Sequence, residues 1–232
     1  MSKSKPKVTI IMPALNEGNI IQRTINDCLK NKNYSLRILV IIDSKIDKKT
    51  LEAAKKTKAR IIDVGIGKGK GAAIKASIPY CKDEIIVQLD ADYQFLPSDL
   101  DRIVSPLLKG YDVSLGTRYQ RGSHIDSDSV SLFKLFGSYG LSAITSIFAR
   151  YRVTDVMAGY KGFKREVLKD LDPQVEHFGY EAELVINAAK KKYKIINVPI
   201  SYRKRLIGGS NVSSIKDGLL VLNTIIRTAL NY

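Results

Sequence analysis

Two carboxylates one residue apart, Asp90 and Asp92, follow an apolar run in the segment IIVQLDADYQFLP at residues 85–97. The run is rich in β-branched residues and reads as a strand, which delivers the pair to the edge of a sheet. There the two carboxylates can share a divalent cation. Mg2+ and Mn2+ take oxygen ligands and bridge readily to phosphates. A nucleoside diphosphate held by such an ion becomes a better leaving group. Gln94 adds a third oxygen donor two residues on. Asp-x-Asp after a strand is also ordinary turn chemistry, because Asp favours turns and helix caps. The two readings separate on whether the rest of the chain supplies a nucleotide site and an acceptor site.

The elements that position these residues follow from hydrophobic periodicity. Short apolar runs predict strands at 8–12, 36–42, 60–64, 84–89 and 112–115. Helical patterns occupy 16–31, where Ile20, Ile21, Ile25 and Leu29 share a face, and 47–58, 72–80 and 99–108. This alternation predicts an open, mostly parallel α/β sheet with helices on both faces. Ligands of such sheets bind beyond the carboxyl ends of the strands. Residues 13–17, 43–47, 65–71 and 90–94 all fall at that edge.

After Thr117 the pattern changes. Residues 130–149 read as a helix or helix pair whose one charge is Lys134, 180–191 as a helix, 193–202 as a strand and 215–230 as an amphipathic helix. Residues 135–149 carry no charge, but they contain Ser, Thr and Gly and predict a buried or interfacial helix rather than a transmembrane span.

The glycine-rich stretch Gly67-Lys68-Gly69-Lys70-Gly71-Ala72 lies between a predicted strand and a predicted helix. It fits the loose pattern G-x-G-x-x-A of dinucleotide-binding turns, so a nicotinamide or flavin oxidoreductase is a rival reading. In those enzymes the turn follows the first strand of the unit, whereas here it follows the third. Two lysines inside the loop suit direct contact with a phosphate or nucleotide. It is not a Walker A loop, for the first glycine and the final Ser/Thr are absent.

Composition bounds the rest. A chain of 232 residues with 44% hydrophobic and 26% charged residues is an ordinary globular protein. Cys28 and Cys81 lack metal-ligand spacing and read as reduced core thiols. His124 and His177 are too isolated for a zinc site or a triad. The net charge of +15 points to an anionic partner: nucleic acid, a membrane surface or a phosphorylated substrate. No nucleic-acid-binding motif accompanies it, so nucleic acid is not expected. The N-terminus, MSKSKPKVTII, lacks the apolar run of a signal peptide.

Together these residues resemble the family 2 glycosyltransferases with the GT-A fold, and among them the polyprenyl-phosphate group that includes dolichyl-phosphate mannose synthase. Pro13-Ala14-Leu15-Asn16-Glu17 matches the P-x-x-N-E loop, Ile42-Asp43-Ser44 the V-D-D region, residues 67–72 the glycine loop and Asp90-Ala91-Asp92-x-Gln94 the metal site. Gly116-Thr117-Arg118-Tyr119 looks like G-[ST]-R-Y, and Lys134, Ser138 and Gly140 look like an R-x-x-x-S-x-G element. DVMAGYKGFKR at 155–165 resembles D-x-x-S-G-F-R, and Glu181 matches an acidic position. The run from Val198-Pro199-Ile200 through Arg205, Gly208 and Ser210 resembles V-P-I-x-F-x-x-R-x-x-G-x-[ST]-K. Ser44 departs from Asp, Ala158 from Ser, Lys134 from Arg and Asn211 from Lys.

The resemblance implies a single GT-A domain with an open mixed, mostly parallel sheet. It divides into a nucleotide-sugar half (1–117), an acceptor half (118–214) and a C-terminal amphipathic helix (215–232). It implies inverting transfer of a hexosyl unit from GDP-mannose or a UDP-sugar to a polyprenyl phosphate. Asp90, Asp92 and Gln94 would hold Mg2+ or Mn2+. Pro13, Leu15, Glu17, Ile42, Asp43, Ser44, Lys70, Ala91, Arg205 and Asn211, with the metal-site residues, would bind the nucleotide sugar. Arg118, Lys134 and Ser138 would bind the acceptor phosphate, which makes Asp90, Asp92 and Arg118 the catalytic set. The expected setting is cytoplasmic, peripheral at the membrane surface. A soluble enzyme acting on a small phosphorylated acid such as phosphoglycerate is the alternative acceptor reading.

Overall fold

A computed structural model describes residues 4–65, 69–127, 129–206 and 214–230. The first half builds β1 (Lys7–Pro13), α1 (Ile21–Leu29), β2 (Ser35–Ile42), α2 (Lys48–Lys55), β3 (Arg60–Asp63), α3 (Lys70–Ser77), β4 (Ile85–Leu89), α4 (Leu100–Leu108) and β5 (Val113–Thr117). The second half adds β6 (His124–Ile125), α5 (Leu132–Ala149), β7 (Tyr160–Lys164), α6 (Arg165–Leu171), α7 (Tyr180–Lys190), β8 (Ile195–Pro199), β9 (Ser201–Tyr202) and α8 (Ser214–Leu230).

Seven strands form one sheet in the order β3-β2-β1-β4-β7-β5-β8. All neighbours are parallel except β7, which runs antiparallel to both β4 and β5. Buried on both faces, the central strands are continuous apolar runs, as parallel strands require. Their side chains alternate between two cores. Val8, Ile10, Met12, Ile38 and Val40 join one core with residues of α1, α2 and α4. Ile11, Leu39 and Ile41 join the other with residues of α3, α6, α7 and α8. A separate two-stranded ribbon pairs β6 with β9.

Several boundaries differ from the sequence pattern. The first helix starts at Ile21 rather than at residue 16, because Asn16 adopts a left-handed φ of 62° that helical backbone does not allow. The helix after the glycine loop starts at Lys70, two residues earlier than expected. The strand expected at 193–202 is two strands, since the chain leaves the main sheet after Pro199 to pair β9 with β6.

The 130–149 helix is one element, α5, but it is not a core helix. It is long and apolar enough to cross a membrane, and 22% of it is buried. Leu132, Phe133, Phe136 and Ile147 stand in solvent, as do Ile215, Leu219 and Leu230 of the neighbouring α8.

Candidate active site

The Asp pair follows the last residue of β4, at the carboxyl edge of the sheet. Leu89 pairs with Tyr160 in the antiparallel β7, so Asp90 lies across from Gly159. A Cβ on Gly159 would sit 2.1 Å from Asp90 Oδ2, so only glycine leaves room for this carboxylate. Asp92 Oδ1 accepts the Gln94 backbone N–H at 3.1 Å. The Gln94 side-chain amide donates to the Arg203 carbonyl at 3.1 Å, which fixes its orientation. Two carboxylates and a carboxamide are hard oxygen donors of the kind Mg2+ and Mn2+ take. Among the described residues no group of three His, Cys, Asp or Glu side chains could hold a metal ion. Mg2+ is usually held by one or two carboxylates together with water and substrate phosphates.

Each carboxylate of the pair already faces a cation. Lys70 Nζ lies 2.7 Å from Asp90 Oδ1 and 3.1 Å from Glu181 Oε1. Glu181, buried on α7, also accepts from Gln88 at 3.1 Å and Tyr180 at 2.7 Å, and it pairs with the fully buried Lys161 of β7. Burial opposes its ionisation, but Lys161 and then Lys70 outweigh burial and hold the Glu181 carboxyl down at about 2. Burial, with the nearby Asp92 and Glu181 charges, pushes Asp90 up to about 6 against the pull of Lys70. Arg205 bridges Asp92, at 3.2 Å, and Glu17. Burial is the main reason Glu17 rises to about 7; Arg205 pulls it back, while Asp92 and Asp90 push it up.

Among the described residues, the glycines of the loop serve close backbone packing. Gly69 has a φ of 105°, and a Cβ there would come within 2.8 Å of the Glu176 carbonyl. A Cβ on Gly71 would come within 2.0 Å of the Val175 carbonyl. These glycines let segment 175–177 pack on the start of α3, where the Glu176 carbonyl accepts the Ala72 N–H at 3.1 Å. Glu183 fixes that segment by accepting the Gln174 and Val175 N–H groups. The packing aims Lys70 at Asp90. Gly67 and Lys68, like Asn211, Gly208 and Ser210, lie outside the described residues.

The edge between β1 and β3 carries the expected nucleoside residues. Leu15 is exposed and Pro13 half-buried, whereas Ile42 and Ala91 turn their side chains into the core. The carbonyls of Ile42 and Ala91 accept from Val64 N–H at 2.9 Å and Thr24 Oγ1 at 2.8 Å. Asp43 accepts the Lys45 N–H at 3.0 Å. Ser44 is held by Asp63, the last residue of β3, which accepts both its hydroxyl and its N–H. A carboxylate therefore stands beside Ser44 even though the second Asp of the motif is missing. Asp47 caps α2 through the Thr50 N–H and accepts the Asn16 N–H, tying the first loop to the second.

On the other side of the Asp pair, Arg118 follows β5. Both oxygens of the buried Asp155 engage it, at 2.6 Å to Nε and 2.8 Å to Nη2, and Nη2 also donates to Ser138 of α5 at 3.3 Å. The guanidinium lies 4.9 Å from the ring centres of both Tyr119 and Tyr202. Although burial disfavours its charge, Asp155 raises the Arg118 pKa above its ordinary value. Lys134 lies one helical turn before Ser138 on α5.

A family model, Glycosyl transferase family 2, matches residues 9–172. The chain belongs to glycosyl transferase family 2. Its mixed seven-stranded sheet is the GT-A fold, and it is a glycosyltransferase. It is 30% identical over 215 residues to a UDP-N-acetylglucosamine–dolichyl-phosphate N-acetylglucosaminyltransferase of Methanococcus voltae, covering 83% of this chain and 84% of that one. It is 26% identical to a dolichyl-phosphate hexose transferase of Haloferax volcanii, covering 96% and 94%. Among solved structures, glucosyl-3-phosphoglycerate synthase of Mycobacterium tuberculosis in complex with Mn2+, UDP and glucosyl-3-phosphoglycerate superposes with a TM-score of 0.76. The identity is 20%, and 97% of this chain and 80% of that one are covered.

Three residues of the candidate site escape the motif reading. Asp155 and Lys161 lie inside the recognised DVMAGYKGFKR stretch, but their roles depend on partners 37 and 20 residues away. Asp63 carries no motif at all; only its position at a strand's carboxyl end marks it.

Proposed function

We propose that this family 2 glycosyltransferase moves a hexosyl unit from a nucleotide sugar to the phosphate of a polyprenyl phosphate, with inversion and with a divalent metal. The observation that carries the acceptor reading is the position of Arg118. Its guanidinium is clamped by Asp155 and touches Ser138 on α5, a helix whose Leu132, Phe133 and Phe136 are exposed. A phosphate for the guanidinium and a hydrocarbon chain for the helix is the chemistry of a lipid phosphate. The relatives from Methanococcus voltae and Haloferax volcanii are both named for dolichyl phosphate, which supports the same acceptor.

In this reading the nucleoside lies along the edge between β1 and β3. Pro13, Leu15 and Glu17 flank it, Asp43 and Ser44 offer polar groups, and Ile42 and Ala91 shape the floor. Asp90, Asp92 and Gln94 would hold Mg2+ or Mn2+, which would compensate the charge that develops on the departing diphosphate. Lys70, Arg205 and Asn211 serve the same diphosphate. Arg118, Ser138 and Lys134 take the acceptor phosphate. A phosphate oxygen is anionic at neutral pH, so it attacks the anomeric carbon directly. The new C–O bond forms as the bond to the donor diphosphate breaks, and the nucleoside diphosphate leaves with the electron pair. No proton has to be removed. Asp155, with both oxygens on Arg118, positions the guanidinium and is not a base. The apolar faces of α5 and α8 rest on the cytoplasmic surface of the membrane.

A transfer screen tests this. GDP-mannose, UDP-glucose and UDP-N-acetylglucosamine are each offered with Mn2+ or Mg2+ and a polyprenyl phosphate, with Asp90→Ala and a chelator as controls. Lipid-dependent transfer from one donor, lost in both controls, is the expected result. No turnover of any donor in the presence of lipid rejects the proposal.

A further inference from the structure

Lys70 is held between two carboxylates with different surroundings. Asp90 stands at the open carboxyl edge of the sheet, whereas Glu181 is buried behind it. Glu181 keeps its charge because Lys161, buried in β7, neutralises it. Lys161 is itself held by the Val156 carbonyl at 3.1 Å and by the Ala158 carbonyl. Gln88 and Tyr180 add two neutral donors. Such a fully engaged buried carboxylate is fixed in place. The Lys70 ammonium can therefore lose Asp90 and remain held in the site by Glu181.

We infer that Glu181 is a positioning residue of the donor site, retaining the Lys70 ammonium so that it passes from Asp90 to the donor diphosphate when a dication takes Asp90. The inference rests on the reading of Asp90 as a metal ligand. Without donor, Lys70 is the cation on Asp90 and competes with a metal ion for it. A dication there would repel the ammonium, and the donor diphosphate would offer it a new anion. Lys70 then has opposite effects in two states: it weakens metal binding alone and strengthens binding of metal and nucleotide together. Metal and donor consequently bind with positive coupling. An ion pair that merely holds α3, β4 and α7 together predicts neither effect.

The test measures Mn2+ binding by electron paramagnetic resonance with and without GDP or UDP, and donor KM and kcat separately. Because Glu181→Gln leaves Lys161 buried without a counter-charge, Lys70→Met is the primary variant. In Lys70→Met, nucleotide-free Mn2+ affinity rises, and nucleoside diphosphate affinity at saturating Mn2+ falls by about tenfold, as loss of one charged hydrogen bond implies. In Glu181→Gln, donor KM rises more than kcat falls. The double variant binds nucleotide no worse than Lys70→Met alone, because Glu181 acts through Lys70. Unchanged Mn2+ and nucleotide affinities in Lys70→Met overturn the inference, as do multiplying losses in the double variant. A wild-type protein that binds neither Mn2+ nor any nucleoside diphosphate overturns the metal-site reading instead.

Discussion

Gly159→Ala isolates the Asp90 carboxylate without changing any charged residue. The added Cβ would meet Asp90 at 2.1 Å from Oδ2, 2.4 Å from Cγ and 2.5 Å from Oδ1. Ordinary contact begins near 3.4 Å. Asp90 is a short side chain that can turn, whereas Gly159 leads into β7, which is hydrogen-bonded to strands on both sides. The carboxylate gives way, by about 1 Å. It leaves Lys70 and the place from which it would hold a metal ion. Misplacement of a reacting site by this much costs about 100-fold in rate. The expected variant is folded, with a melting temperature within a few degrees of wild type, and its kcat/KM is about 100-fold lower at any Mn2+ concentration near the wild-type optimum. Mn2+ titration of sugar transfer, with thermal unfolding measured in parallel, is the assay. Wild-type transfer and metal dependence in Gly159→Ala would refute the claim that Asp90 works from this position.

Other consequences follow from the same geometry. Asp155→Asn leaves Arg118 without its counter-charge, a loss of about 3–5 kcal/mol for a buried pair. Thermal unfolding should show that loss, and the KM for the acceptor should rise. Arg118→Lys keeps the charge but loses the fork that spans Asp155 and Ser138, so acceptor KM should rise about tenfold with donor KM unchanged. Asp90 and Glu17 bind their protons more tightly in the folded, donor-free protein, at about 6 and about 7, than their ordinary values of 3.8 and 4.5. Their stabilising contribution is full below about pH 4 and is lost as pH rises through 6 and 7. A metal ion held by Asp90 would need the ionised forms, so metal-dependent affinity for a nucleotide sugar should rise over the same window; titration calorimetry at several pH values checks this. Replacing Leu132, Phe133 and Phe136 by Ser should lower co-sedimentation with anionic lipid vesicles and leave the melting temperature within a few degrees of wild type.

The parallel half of the fold is legible because its strands are continuous apolar runs ending in turn residues. Asp90, Asp92 and Gln94 are legible because they follow such a run directly. Strand β7 is not. Its sequence, Tyr160-Lys161-Gly162-Phe163-Lys164, places a lysine and a glycine where a core strand normally shows aliphatic residues. Lys161 is buried because Glu181 meets it from α7, and Gly162 makes room for Ile103 and Leu107 of α4. Both reasons lie in tertiary contacts. The glycine loop illustrates the same limit: nothing in its pattern shows that Gly69 and Gly71 are needed for close backbone packing on residues 175–177. Lys70 was marked by its loop, but its partners Asp90 and Glu181 are 20 and 111 residues away. The exposure of α5 was also hidden, since an apolar helix in a sequence reads equally as core or as surface.

A partition experiment decides whether the acceptor is a lipid phosphate or a soluble phosphorylated acid. The protein is given one radiolabelled nucleotide sugar with Mn2+ and, in the same vessel, a polyprenyl phosphate and 3-phosphoglycerate. The label is then followed into the organic and aqueous phases for wild type and Arg118→Lys. Label in the organic phase as a glycosyl phosphate lipid, sharply reduced in Arg118→Lys, is the predicted result. Label on the soluble acid with none in the lipid would rule out the lipid acceptor and assign the Arg118 site to a small phosphorylated acceptor.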